Sequence, residues 1–408
     1  RTQWDNPGPF PQDLHMRRNR FISRARHSAT ADTLAKLARR LSESGSRIED
    51  QLWERRLVEL LNDRLTRGFD DAIEAALDAL SRSHPRAYDD LADLAESCAE
   101  SATVEIDGQP HDALLLALPL LAWSRYKVPA TGLSSAAIDA VGAQLAGHLA
   151  ARGTRIAVAD YLYSIDQLPE SLGEVYDVAQ KLFEAAAQGV RMKIDAKSLR
   201  EPVAMLADTR YLLAAIIAPQ GQALFHWQEP GVDPDAKGAA LEAFCQQVGG
   251  VVQPVLTGCR YRVLPPAAFH AALRDADREL REFSLEAAVS YLKLAYDMAP
   301  GVLQATLAAY EDKGAEEIRV GIGRTGDDDA VIEGVVWPLL GDEEEKAQEE
   351  IEAALRKLGV TRVVTHAHRF PLEFCDDCGA PMFPNPAGHS VHAEAPEDAD
   401  DQPAAPLH

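Results

Sequence analysis

The sequence predicts an α+β protein: a helical N-terminal domain, then two related hairpin–helix–strand modules of ferredoxin-like kind, and a short metal-binding C-terminal extension. Three observations predict it. Apolar residues recur at helical spacing across residues 31–151. Strand-like apolar runs replace that pattern at Thr154. An ordered set of residues then returns 110 positions further on.

Residues 1–30 lack periodicity and read as a mobile basic arm, with Met16 the expected natural start and residues 1–15 an upstream extension. Residues 31–153 read as the helical domain. Leu34, Leu37, Ala38 and Leu41 form the stripe of an amphipathic helix. Further helices are expected at 49–64, 69–81, 87–101, 110–125 and 135–151, the last capped by Ser134 or Ser135 and stopped by Gly153.

The first α+β module spans 154–270. A strand at 155–163 leads to a helix at 168–187. Apolar runs at 211–218 and 223–227, joined by Pro219-Gln220-Gly221, signal a hairpin. A helix at 235–248 and a strand at 251–264 complete the module. The second module, 271–374, repeats this order with a hairpin at 318–323 and 331–337, a helix at 342–358 stopped by Gly359, and a strand at 361–374 broken at Pro371. Trp227, Gly231, Leu241-Glu242-Ala243 and Gly249 return as Trp337, Gly341, Ile351-Glu352-Ala353 and Gly359, which reads as duplication. A strand and helix precede the first copy and complete a ferredoxin-like order. The second copy follows a helical pattern at 284–298, so two related modules are expected rather than two complete ferredoxin-like domains.

Composition narrows the function classes. The formal charge of −23 argues against a general nucleic-acid or anionic-membrane binder. The exception is residues 17–40, where Arg17, Arg18, Arg20, Arg24, Arg26, Lys36, Arg39 and Arg40 face one acid, Asp32. That stretch is the only place for RNA, and it equally suits an acidic patch of a partner or of the chain's own body. The apolar run at 113–123, interrupted by Pro119, is far short of the roughly 20 residues a membrane span needs. Five cysteines in 408 residues form no disulfide framework, and a cytoplasmic setting is expected. Cys98, Cys245 and Cys259 read as buried, inert thiols.

One stretch carries chemistry. Cys375-x2-Cys378 is followed, after ten residues, by His389-x2-His392, close to the spacing of a tetrahedral zinc site. A redox dithiol wants a helix N-terminus, which Gly379, Pro381, Pro384 and Pro386 forbid. Asp376 and Asp377 oppose thiolate formation unless a cation is present. The expected ligands of a structural zinc are therefore Cys375, Cys378, His389 and His392. His366 and His368, which alternate on one strand face, form a rival source of a ligand. The bland alternative is a reduced, exposed cysteine pair. Four protein ligands close such a site; three leave a place for water and for catalysis.

Other motifs dissolve on inspection. Gly321-x-Gly323-x-x-Gly326 precedes Asp327-Asp328-Asp329 and a strand, so it reads as a hairpin turn and not a dinucleotide loop. Gly132-Leu133-Ser134 lacks the strand of a nucleophile elbow. Glu316-Glu317 and Glu343–Glu345 read as solvated faces.

Arg17–Arg26, Val336-Trp337-Pro338-Leu339-Leu340-Gly341 and Phe374-Cys375-x-x-Cys378-Gly379 together resemble an uncharacterised bacterial family of about this length, known only as a domain of unknown function. The resemblance runs from Met16 to about Pro386 and implies a bacterial cytoplasmic protein, with no assigned activity and no catalytic residue to carry over. The expectation is a non-enzymatic binding or regulatory protein with structural zinc, acting on an unidentified protein or small ligand and not on a membrane. The alternatives are a metal-dependent hydrolase with an open zinc site and an RNA- or ribosome-associated factor using the basic arm.

Overall fold

A computed structural model describes residues 29–203, 205–233, 235–312 and 315–394. The basic arm, up to residue 28, lies outside the described residues, as does, from residue 395 on, the disordered acidic tail that the sequence predicts over 393–408. Helices α1 (Ala29–Ser42), α2 (Arg47–Thr66), α3 (Asp71–Ser81) and α4 (Pro85–Glu100) stand close to their expected limits.

The next segment corrects the sequence reading. In place of a helix at 110–125 the chain forms a hairpin, β1 (Ser101–Ile106) and β2 (Gln109–Trp123). Its loop is Asp107-Gly108, both residues at positive φ (54° and 73°), as a primed two-residue turn requires. The apolar run misled because β2 is covered on both faces. Leu115, Ala117, Leu121 and Trp123 enter one core with α1–α4; Leu116, Leu118, Leu120 and Ala122 enter another. A strand buried on both sides loses its polar alternation.

The remaining elements of this half are β3 (Thr131–Gly132), α5 (Ser135–Gln144), β4 (Arg155–Val158), β5 (Tyr161–Ser164), α6 (Leu172–Gln188), β6 (Ala207–Pro219), α7 (Ala236–Val252), β7 (Arg260–Val263), β8 (Ala267–Ala268) and α8 (Phe269–Tyr296). Ser134 caps α5, its hydroxyl accepting the Ala137 N–H at 3.2 Å. The first sheet runs β1–β2–β6–β5–β3, with β4 also on β6 and β7 and β8 on β2, all antiparallel. Helices α6 and α8 pack with α1–α4 on one face, α5 and α7 on the other.

Two further readings of the first module fail. Residues 223–227 form no strand: Phe225 makes a single bridge to Ala150, and His226–Gln228 is a 3₁₀ turn. Helix α7 passes through Gly249-Gly250, so the strand expected at 251–264 shrinks to β7. The antiparallel partners of β6 come instead from β2 and from β4 and β5.

The second sheet is built from β9 (Leu303–Asp312), β10 (Ala315–Arg324), β11 (Glu333–Pro338), β12 (Arg362–Thr365) and β13 (Phe370–Pro371), with α9 (Glu344–Lys357) between β11 and β12. Its order is β11–β10–β9–β12, and β12 and β13 run parallel to β9. The β10–β11 pairing stands where the second hairpin is expected. One face is apolar: Ala305, Leu307, Ile318, Val320, Ile322 and Val335 meet α8 and α9. The other face carries Gln304, Thr306, Glu317 and Arg319, all buried. The C-terminal segment covers it, including the ribbon β14 (Phe383–Pro384) and β15 (Ser390–Val391).

Candidate metal centre

Two arms of the C-terminal segment carry the donors. The first is a tight loop. Cys375 N–H donates to the Ala380 carbonyl at 2.8 Å, and Gly379 N–H donates back to the Cys375 carbonyl at 2.8 Å. Gly379 takes φ 73°, the left-handed turn for which glycine is suited. Backbone N–H groups of Cys378 and Asp377 donate to the Cys375 sulfur and hold its thiol below the ordinary cysteine range. An anionic sulfur is thereby favoured, which is what a soft cation needs.

The second arm is the β14–β15 ribbon, closed at Asn385–His389. Asn385 N–H donates to the His389 carbonyl at 2.9 Å, and His389 N–H donates to Asn385 Oδ1 at 2.8 Å. The ribbon returns the chain to the loop, where His392 Nε2 lies 3.2 Å from Cys378 Sγ. Donor atoms of Cys375, Cys378 and His392 all fall within 4.8 Å of one another.

The group leaves out His389, the fourth expected ligand. The reason is strand parity. His389 and His392 flank β15 three residues apart, and an odd separation in extended chain puts two side chains on opposite faces. The rival pair is absent from the group too. His366 Nε2–H donates to the Asn385 carbonyl at 2.9 Å, and the His368 ring packs against Phe370 with centroids 4.4 Å apart. The His366 imidazole thereby braces the Asn385 turn.

What sequence reasoning missed is the seat under the two arms. Glu317 belongs to no solvated face: it is 3 % exposed and pairs with Arg319, which is 0 % exposed. The signal was available, since Glu317 and Arg319 alternate with Ile318 and Val320 in a strand whose two faces are both buried. The glycine motif also reads differently. Gly321 and Gly323 lie inside β10, and the turn falls at Gly326. A Cβ on Gly321 would overlap the Pro384 carbonyl oxygen, and one on Gly334 would overlap the Phe383 ring. These glycines are notches for the incoming segment.

Two cysteine sulfurs and an imidazole are a donor set that suits a borderline-soft cation such as zinc. Among the described residues no helix is long and apolar enough to cross a membrane. No curated protein and no solved structure matches the chain. A family model covers residues 19–405, and its description is a protein of unknown function, DUF2863.

Proposed function

The chain belongs to that family of unknown function, and we propose that it is a cytoplasmic, non-enzymatic binding or regulatory protein whose C-terminal segment is ordered by one structural zinc ion, held by Cys375, Cys378, His392 and a fourth protein donor that closes the site. The observation that carries the reading is convergence: two arms separated by a Pro-rich stretch bring three soft donors to one point. Zinc binding to such a site contributes on the order of 10 kcal/mol. That suffices to order a segment with little apolar cover of its own. We also read the two sheets as related modules. In support, each carries a buried acid-x-Arg pair on one strand, Asp208 with Arg210 and Glu317 with Arg319.

A second reading has an observation in its favour. Three protein donors leave one tetrahedral position for water, as in a metal-dependent hydrolase. Metal analysis of protein purified without added zinc tests the first claim: one equivalent is expected, and none in Cys375→Ser. Protein without stoichiometric metal overturns the zinc reading. X-ray absorption then separates the two readings, because a fourth protein ligand removes the hydrolase.

A further inference from the structure

The geometry points to Arg319 as the positioning residue of the metal centre, an inference that rests on the zinc reading above. Arg319 is fully buried on the face of the second sheet that the C-terminal segment covers. Its Nη1 donates to the Glu373 carbonyl at 2.6 Å and to the Met382 carbonyl at 2.7 Å. Those carbonyls stand at the two ends of the loop that carries Cys375 and Cys378, where Met382 N–H also donates to the Glu373 carbonyl at 3.2 Å. One guanidinium nitrogen thus cinches the base of the cysteine loop.

The second arm is tied to the same cluster. The guanidinium lies over the Tyr310 ring at 4.4 Å and the Phe374 ring at 5.1 Å. Tyr310 Oη meets Ser390 Oγ at 3.1 Å, two residues before His392. Arg319 and Tyr310 therefore tie the cysteine loop and the histidine strand to one cluster and set the distance between them. Glu317, whose Oε1 accepts from Arg319 Nε at 2.7 Å, offsets the charge that would otherwise repel a cation. Arginine is required because its planar fork serves a carboxylate, two carbonyls and two ring faces at once; a lysine ammonium offers a point charge. Groups that orient metal ligands from outside the coordination sphere change affinity by about 10–100-fold.

The test is a zinc competition titration against a chromophoric chelator on the full chain, as wild type, Arg319→Met, Arg319→Lys and Arg210→Met. The last is a control: Arg210 is an equally buried arginine of the first sheet, and its hydrogen bonds go to Asp208, Thr209, Val128 and Pro129. Zinc affinity is expected to fall about 10–100-fold in Arg319→Met and less in Arg319→Lys, and to change by less than about twofold in Arg210→Met. In the cobalt-substituted protein the tetrahedral ligand-field bands should shift in Arg319→Met and stay put in Arg210→Met. Should Arg319→Met not fold, Tyr310→Phe removes only the tie to Ser390 and is expected to weaken zinc by a few-fold. Unchanged affinity in folded Arg319→Met, unchanged affinity in both Arg319→Lys and Tyr310→Phe, or equal losses in Arg319→Met and Arg210→Met, overturns the inference and leaves the zinc reading intact. A wild type that takes no metal overturns both.

Discussion

Arg210 and Arg319 perform the same act in two sheets with different backing. Each is buried, each pairs with an acid two residues earlier on the same strand face, and each donates to carbonyls of the chain that covers it. Arg210 holds Val128 at 2.7 Å and Pro129 at 2.8 Å, in a connection anchored at one end by β2 and at the other by β3. Arg319 holds a segment backed by a much smaller apolar cluster of Ala308, Tyr310 and Phe370. A buried guanidinium is enough to pin a connection already tied at both ends. A segment with little hydrophobic cover needs a further source of free energy, and the converging donors sit where an ion would provide it.

The largest expected effect falls on the first sheet. Burial pushes the Asp208 carboxyl up, against the pull of Arg210 and the Thr209 N–H. Arg210→Met leaves that acid buried without its partner, and chemical denaturation should show a loss of about 3–5 kcal/mol. A loss below about 1 kcal/mol breaks the claim that Arg210 is a fixed structural clasp.

Removing metal should do the reverse. Chelation, or Cys375→Ser, is expected to abolish hydrogen-exchange protection at the Cys375 and Gly379 amides while β2 and β6 keep theirs. Loss across both sheets at once would show that the two halves unfold as one unit and share their stability.

A pH series separates the sheets further. Asp208 has a cation partner, whereas Glu333 in β11 has no ion pair among the described residues and accepts only the Gly334 N–H, at 3.2 Å. Although the residue keeps some exposure, its carboxyl end is crowded, and burial pushes its pKa up to about 7. The folded state therefore favours the protonated acid. Below about pH 4.5 both states are protonated and no penalty arises; between about pH 4.5 and 7 stability falls by roughly 3 kcal/mol and then levels off. Glu333→Gln should flatten that part of the profile and be more stable than wild type at pH 8. An unchanged profile sinks the assignment.

The smallest effect probes the notch. Gly321→Ala places a methyl group against the Pro384 carbonyl oxygen, closer than van der Waals contact allows, so the segment must shift. The cost should be about 1–3 kcal/mol, with reduced zinc retention on dialysis. Retention equal to wild type would show that the segment tolerates a looser seat than Arg319 implies.

Much of the local structure was legible in the residues. Ser134 before α5, Gly379 after the cysteine pair and Gly359 after α9 each mark a backbone event set by neighbours a few positions away. Such signals survive folding because capping bonds and left-handed turns depend on short-range sterics and hydrogen bonding. The cysteine loop belongs to this class, so two of the three converging donors, Cys375 and Cys378, follow from local spacing alone.

The rest was decided by what came to lie against what. The run at 113–123 is a strand because α-helices cover both of its faces, which no periodicity within the run reveals. His392 rather than His389 joins the cysteines because β15 pairs with β14 and strand parity sorts the two rings to opposite sides. Glu317 and Arg319 are interior because a segment more than fifty residues downstream folds back over them. Spacing encodes neighbours along the chain, whereas burial and ligand choice depend on partners that only packing brings into contact.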